Sequence, residues 1–240
     1  MVVDALLETS DLDVFYGNVV GLRKASIHVA AGELVAILGG NGAGKSSLLK
    51  GICRLARASG SVRFDGHELL RRPQHDLIRL GVAIVPEGRQ VFPSLTVQEN
   101  LYVGAGMLKR AERRKAVARM LEMFPILGRR RKQLAGTMSG GEQQILAIAR
   151  AVVTDPRLCV MDEPSLGLAP VMVESVFAEI RRLSELGMTL LVVEQLASVV
   201  LEVADRGYVL EHGHVRLHGS AAELTGNPEV QRRYLGVSKA

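Results

Sequence analysis

Gly39-Gly40-Asn41-Gly42-Ala43-Gly44-Lys45-Ser46 fits the spacing G-x-x-x-x-G-K-[ST] and follows directly on an apolar run, Leu34 to Leu38. Glycines at 39, 40, 42 and 44 let the backbone curl with its N–H groups turned inward and no Cβ in the way, so the stretch predicts a cradle for phosphate groups. Lys45 then reaches the β and γ phosphates of a nucleotide, and the Ser46 hydroxyl, with Ser47 beside it, is placed to ligate Mg²⁺. A helix is predicted from about Lys45, with Leu48, Leu49 and Ile52 on its apolar side and its positive dipole end aimed at the same anion. A Gly-rich strand-to-helix turn with an incidental lysine would explain the glycines alone. It does not explain strand, glycines, Lys and Ser in one register.

The chain around this loop has 240 residues, of which 48% are hydrophobic, enough for one large domain or a core with a lobe. Its apolar runs, such as Met188 to Val193, fall far short of the ~20 residues of a membrane span and suit buried parallel strands. Acidic Asp4, Glu8, Asp11 and Asp13 stand where a secretory signal would carry basic residues, so a cytosolic location is expected. Cys53, on the helix after the loop, and Cys159, in the apolar run Leu158 to Met161, read as buried free thiols. The net charge of +5 allows an anionic partner, and a nucleotide already supplies one. Basic runs at 110–115 and 129–132 lack interleaved aromatic residues for stacking, so nucleic acid is not expected and a solvated or membrane-proximal face is.

The first thirty residues alternate weakly (Leu12, Val14, Val19, Leu22, Ile27, Val29) around Gly17-Asn18 and predict antiparallel strands. Ser61 to Gly66 predicts a further strand and turn. From Leu95 the pattern turns helical: Thr96 and Glu99 form a capping box, and Val117, Met120, Leu121 and Phe124 recur at helical spacing until Pro125 and Gly128, which are expected to end the helix. A helical lobe at about 91–150 is therefore expected inside an α/β core made of 1–90 and 150–240. In that core a helix from Glu142 to Val153, a buried strand from Leu158, a helix from Pro170 and the strand ending near Val193 alternate, which argues for a mainly parallel sheet with its ligand site at the carboxyl ends of the strands. Gly207 to Gly219 predicts a hairpin.

Two further constellations carry chemistry. Asp162-Glu163 ends the apolar run at 158–161, so a buried strand delivers two carboxylates with separate tasks: Asp162 to hold Mg²⁺, Glu163 to polarise the water that attacks the γ phosphate. Ser139-Gly140-Gly141-Glu142 is a second capping box whose glycines leave helix N–H groups open to an anion; alone it could equally be an ordinary cap.

The three constellations in this order and spacing resemble an ATP-binding-cassette (ABC) ATPase over nearly the whole chain. The resemblance implies a P-loop NTPase (RecA-like) core with an N-terminal antiparallel β subdomain and an inserted helical subdomain. It implies that Ser139, Gly140, Gly141 and Glu142 contact the ATP held by a second subunit, and that Tyr16 stacks on adenine. The strings VPEGRQVFP at 85–93, GTMSGGEQQ at 136–144, DEPSLGLAP at 162–170 and VEQ at 193–195 look like those of ATPase subunits of branched-chain amino-acid importers. Glu87 then takes the usual glutamine position near Mg²⁺ and phosphate, Ala169 the usual aspartate position, and Gln195 that of the switch histidine. Gln195 can donate a hydrogen bond to a γ phosphate but cannot become a cation. By the same resemblance the partners are a second, different ATPase subunit, two transmembrane permease subunits and, indirectly, a solute-binding protein, and the chain sits peripherally on the cytoplasmic face of the membrane. Importers of urea, amides or other amino acids are alternatives. A soluble cassette ATPase acting on ribosomes or DNA is a different class, but it would carry two cassettes or a long coiled coil in one chain.

Overall fold

In the computed structural model, which describes residues 5–235, β1 (Ala5–Tyr16) and β2 (Val19–Ala30) form a long antiparallel pair that turns at Gly17-Asn18. Asp4 of the acidic N-terminal set lies outside the described residues. The short strand β3 (Leu34–Leu38) is wholly buried and feeds the phosphate loop, after which α1 (Lys45–Ile52) begins where expected. Cys53 is the residue that caps α1 rather than part of it. β4 (Arg57–Phe64) starts four residues before the predicted strand, because it pairs with β1 through Arg57, Ala58, Ser59 and Ser61 as well, a stretch without an alternating apolar pattern. β5 (His67–Glu68), α2 (His75–Leu80) and β6 (Val82–Val85) complete the first half.

Helices follow: α3 (Val97–Gly104), α4 (Arg110–Met123), α5 (Pro125–Arg129) and α6 (Gly140–Val152). Both capping boxes are formed, at Thr96/Glu99 and Ser139/Glu142. The predicted stop at Pro125 is corrected in part. α4 does end beside it, at Met123, but Pro125 opens α5 as its first residue and Gly128 lies within α5. A missing N–H costs nothing in a first helical turn, so the proline that cannot continue one helix starts the next. α6 likewise begins at Gly140, two residues before the expected start.

The chain then alternates β7 (Leu158–Asp162), α7 (Pro170–Glu185), β8 (Thr189–Glu194), α8 (Ala197–Leu201), the hairpin β9 (Arg206–Glu211) and β10 (His214–Ser220), and the terminal helices α9 (Ala221–Gly226) and α10 (Pro228–Tyr234). Two sheets result. One is antiparallel, in the order β2-β1-β4-β5; the other is six-stranded, in the order β10-β9-β3-β8-β7-β6, and parallel apart from β10.

Because side chains alternate faces along a strand, the six-stranded sheet splits the core by parity. Leu34, Ala36 and Leu38 pack with Cys159, Met161, Leu190, Val192 and the helices α3 to α8, while Val35, Ile37, Val160, Leu191 and Val193 pack with α1 and the antiparallel sheet. A strand buried on both faces needs an unbroken apolar run, which is why β3, β7 and β8 read that way. The strand order also decides the site. β3, β8, β7 and β6 lie side by side and parallel, so the segments leaving their carboxyl ends, at Gly39, Gln195, Glu163 and Glu87, open on one edge of the sheet.

Candidate active site

The backbone of the loop 39–44 is fixed by close approach as well as by hydrogen bonds. Gly44 has φ +104°, and a Cβ there would lie 2.9 Å from the Gly21 carbonyl oxygen, so no other residue fits. The Ala43 carbonyl accepts from Gly213 N at 2.9 Å, which ties the loop to the β9–β10 turn. Lys45 is 4% exposed, and its ammonium donates to the carbonyl oxygens of Gly39 (2.9 Å) and Gly40 (3.2 Å) and pairs with Glu163 Oε1 at 3.1 Å. Its three N–H bonds thus have three acceptors, two of them in the loop it serves.

Glu163 stands at φ +46°, a costly conformation for a non-glycine residue, held by its N–H donating to Val193 O at 3.0 Å. That bend turns the carboxylate toward the loop instead of along the strand. Gln195 Nε2 donates to both Glu163 oxygens, at 3.1 and 3.0 Å, and to Asn41 Oδ1 at 2.6 Å. Residues 41, 45, 163 and 195 therefore form one hydrogen-bonded group over the cradle. The sequence predicted all four as site residues, but not that Gln195 bridges the phosphate loop to the carboxylate.

Ser46 Oγ donates to Asp162 Oδ1 at 3.2 Å. Burial pushes the Asp162 carboxyl above the usual carboxylate range; the Ser46 hydrogen bond opposes the shift, and the neighbouring charges of Glu163 and Glu87 add to it. A buried carboxylate short of positive charge, paired with a hydroxyl beside a phosphate cradle, fits Mg²⁺, which favours hard oxygen donors. Among the described residues no group of three or more His, Cys, Asp and Glu forms a ready-made cage. Mg²⁺ needs none where phosphate oxygens complete its shell.

The cleft above the loop has a volume of about 360 Å³ and is bordered by Tyr16, Gly21, the loop 41–47, Lys50, Glu87 and Glu163. Tyr16 is 42% exposed, with Lys50 Nζ 5.8 Å from its ring centroid, and offers a flat surface to a base. Glu87 is exposed on the same cleft. Ser139 to Glu142 do not border it. They form the start of α6, where Ser139 N donates to Glu142 Oε2 at 3.0 Å and Arg130 pairs with Glu142 at 2.9 Å. Sequence reasoning passed over Arg89, at φ +66°, whose guanidinium lies against Gly140 and donates to Gly167 O at 3.2 Å. It also passed over Asn100, fully buried, whose amide bonds Phe92, Leu95 and Thr96 and fixes the entry into α3.

A glycine cradle opening α1, a lysine inside it, a Ser–Asp pair and a glutamate held over the loop define a P-loop nucleoside triphosphatase. Comparison with known proteins narrows the class. Residues 22–166 match the family model described as ABC transporter. The chain is 45% identical over 232 residues to the high-affinity branched-chain amino acid transport ATP-binding protein BraG of Pseudomonas aeruginosa, covering 96% of this chain and 100% of that one. It is 36% identical to the probable branched-chain amino acid transport ATP-binding protein LivF of Archaeoglobus fulgidus, covering 97% and 99%. The ADP conformation of MJ1267, an ATP-binding cassette of an ABC transporter, superposes with a TM-score of 0.85 at 27% identity over 97% of this chain and 99% of that one. The chain belongs to the ABC transporter family and is its ATP-hydrolysing subunit. The cassette fold expected from the sequence is the fold observed.

Proposed function

We propose that this chain is an ATPase subunit of a branched-chain amino-acid importer, paired with a different ATPase subunit and bound peripherally to two permease subunits on the cytoplasmic face of the membrane. The observation that carries the solute class is the 45% identity to BraG over nearly the full length of both chains. Members of this family dimerise, and relatives of this chain include both LivF and LivG of one organism, which supports a heterodimer. Among the described residues no helix is long and apolar enough to cross a membrane, so the pore belongs to the permeases.

ATP enters with adenine on Tyr16 and its phosphates in the cradle. Lys45 exchanges Glu163 for the β and γ phosphate oxygens, since one ammonium cannot serve both anions at full strength. Glu163, released from Lys45 but still held by Gln195, accepts a proton from the attacking water; the water oxygen bonds the γ phosphorus, and the bond to the bridging oxygen breaks with its electron pair leaving on ADP. When bound, Mg²⁺ held by Ser46 and Asp162, with Glu87 nearby, neutralises charge on the phosphate oxygens. Ser139 to Glu142 close over the γ phosphate of the partner's ATP.

The face for the permease is an apolar groove of about 580 Å³ that includes Ile78, Phe92, Val103 and Arg150. The Arg150 guanidinium stacks on Phe92 at 5.2 Å, burial lowers its pKa, and its Nη1 has no hydrogen-bond partner among the described residues. Such a groove suits a short permease helix that brings an acceptor for Arg150. Uptake of radiolabelled leucine tests the solute assignment. Deleting this gene should abolish uptake and the gene should restore it, whereas unchanged leucine uptake with lost urea or amide uptake would move the assignment to those solutes.

A further inference from the structure

Glu194 is 1% exposed and has no cationic side chain within ion-pair distance among the described residues. Its carboxylate is satisfied by backbone N–H groups alone: Oε1 accepts from Ser165 N at 2.9 Å, and Oε2 accepts from Gln195 N at 2.9 Å and Leu196 N at 3.4 Å. These groups come from two different segments. Ser165 lies in the turn, 164–169, that leaves β7 just past Glu163, with Leu166 exposed on it; Gln195 and Leu196 leave β8. A buried carboxylate is costly to keep, and a purely packing role at the end of β8 would be served by an apolar residue.

The bonds close a ring. From Glu163 the chain runs to Ser165, whose N–H bonds Glu194; Glu194 continues into Gln195, whose side-chain amide returns to Glu163. We propose that Glu194 is a positioning residue for ATP cleavage, making the 164–169 turn and the Gln195 segment move as one body so that the grip of Gln195 on Glu163 depends on where that turn sits. The inference rests on the proposed ATPase mechanism and adds a coupling within it. A contact made by a partner subunit on the exposed 164–169 turn would then be felt at Glu163 without touching it.

Glu194→Gln isolates the claim, because an amide of the same shape has one acceptor oxygen where two are used: it can keep the Ser165 bond or the Gln195 bond, not both. The test uses the full-length chain with its membrane partners. Expected are a kcat lowered about tenfold or more with KM for ATP unchanged, and a Glu194→Gln/Gln195→Ala double variant no slower than Gln195→Ala alone, since both act through one contact. Amide hydrogen exchange should rise in Glu194→Gln at Ser165 or at Gln195, whichever N–H loses its acceptor, a readout that needs no ATP cleavage and therefore separates failure of this inference from failure of the mechanism it rests on. If Glu194→Gln does not fold, Glu194→Asp, which keeps both oxygens but shortens their reach, takes its place in the same cycle. Multiplicative loss in the double variant, or unchanged exchange at both amides, would overturn the proposal.

Discussion

Replacing Glu163 by glutamine leaves the shape of the site intact and removes the group that takes the water proton. The Glu163 side chain is 10% exposed, both of its oxygens accept from Gln195, and Oε1 also pairs with Lys45. In Glu163→Gln the single amide oxygen faces Lys45, which leaves an NH₂ opposite the Gln195 NH₂. Gln195 retains Asn41 at 2.6 Å and can turn away, so the resting enzyme loses about 1–3 kcal/mol at most. Loss of a general base weighs more, about 10²–10⁴ in rate, or about 2.7–5.5 kcal/mol on the barrier. ATP binding should hold or tighten, because a carboxylate that competes for Lys45 has become neutral. Phosphate release at saturating ATP, with affinity measured by a fluorescent nucleotide, reads both quantities. A kcat within about threefold of wild type would refute Glu163 as the base, whatever the affinity.

Three further outcomes follow from the same geometry. Lys45→Ala should abolish tight ATP binding, measured by equilibrium titration; unchanged affinity would remove the phosphate assignment. Because the folded-state pKa of Asp162 is raised by burial, ionising it costs stability, a cost absent below the ordinary aspartate range and growing as pH rises through it. The thermal midpoint of Asp162→Asn relative to wild type, without nucleotide or metal, should therefore climb as pH rises from about 4 to about 8, and a pH-independent difference would contradict the assignment. Burial pushes the Cys53 and Cys159 thiols up to about 12, so a thiol-specific reagent at mildly alkaline pH should label neither until the chain is unfolded, and rapid labelling of the native chain would contradict their burial.

Much of the site was legible in the sequence because its parts are local. The cradle, the Thr96 and Ser139 capping boxes and the acids ending β7 each sit within a few consecutive residues, and the apolar runs of β3, β7 and β8 announced strands buried on both faces. What stayed hidden depends on pairs far apart in the chain. Gln195 meets Asn41 across 154 positions, and Glu194 meets Ser165 across 29 through a backbone N–H, which no side-chain pattern encodes. Pro125 misled because the same residue that ends a helix is suited to open one. The start of β4 escaped because its pairing through Arg57 to Ser61 is a backbone matter on which side-chain periodicity is silent.

The central claim is that ATP is cleaved between two cassettes, with the cradle of one facing the Ser139-Gly140-Gly141 helix start of the other. The structure of an ATP-loaded pair carrying Glu163→Gln tests it most directly. The account predicts Ser139 Oγ and the Gly141 N–H within hydrogen-bonding distance, about 3 Å, of the γ phosphate held by the opposite subunit. A closed pair whose α6 helix start points away from that phosphate would contradict it.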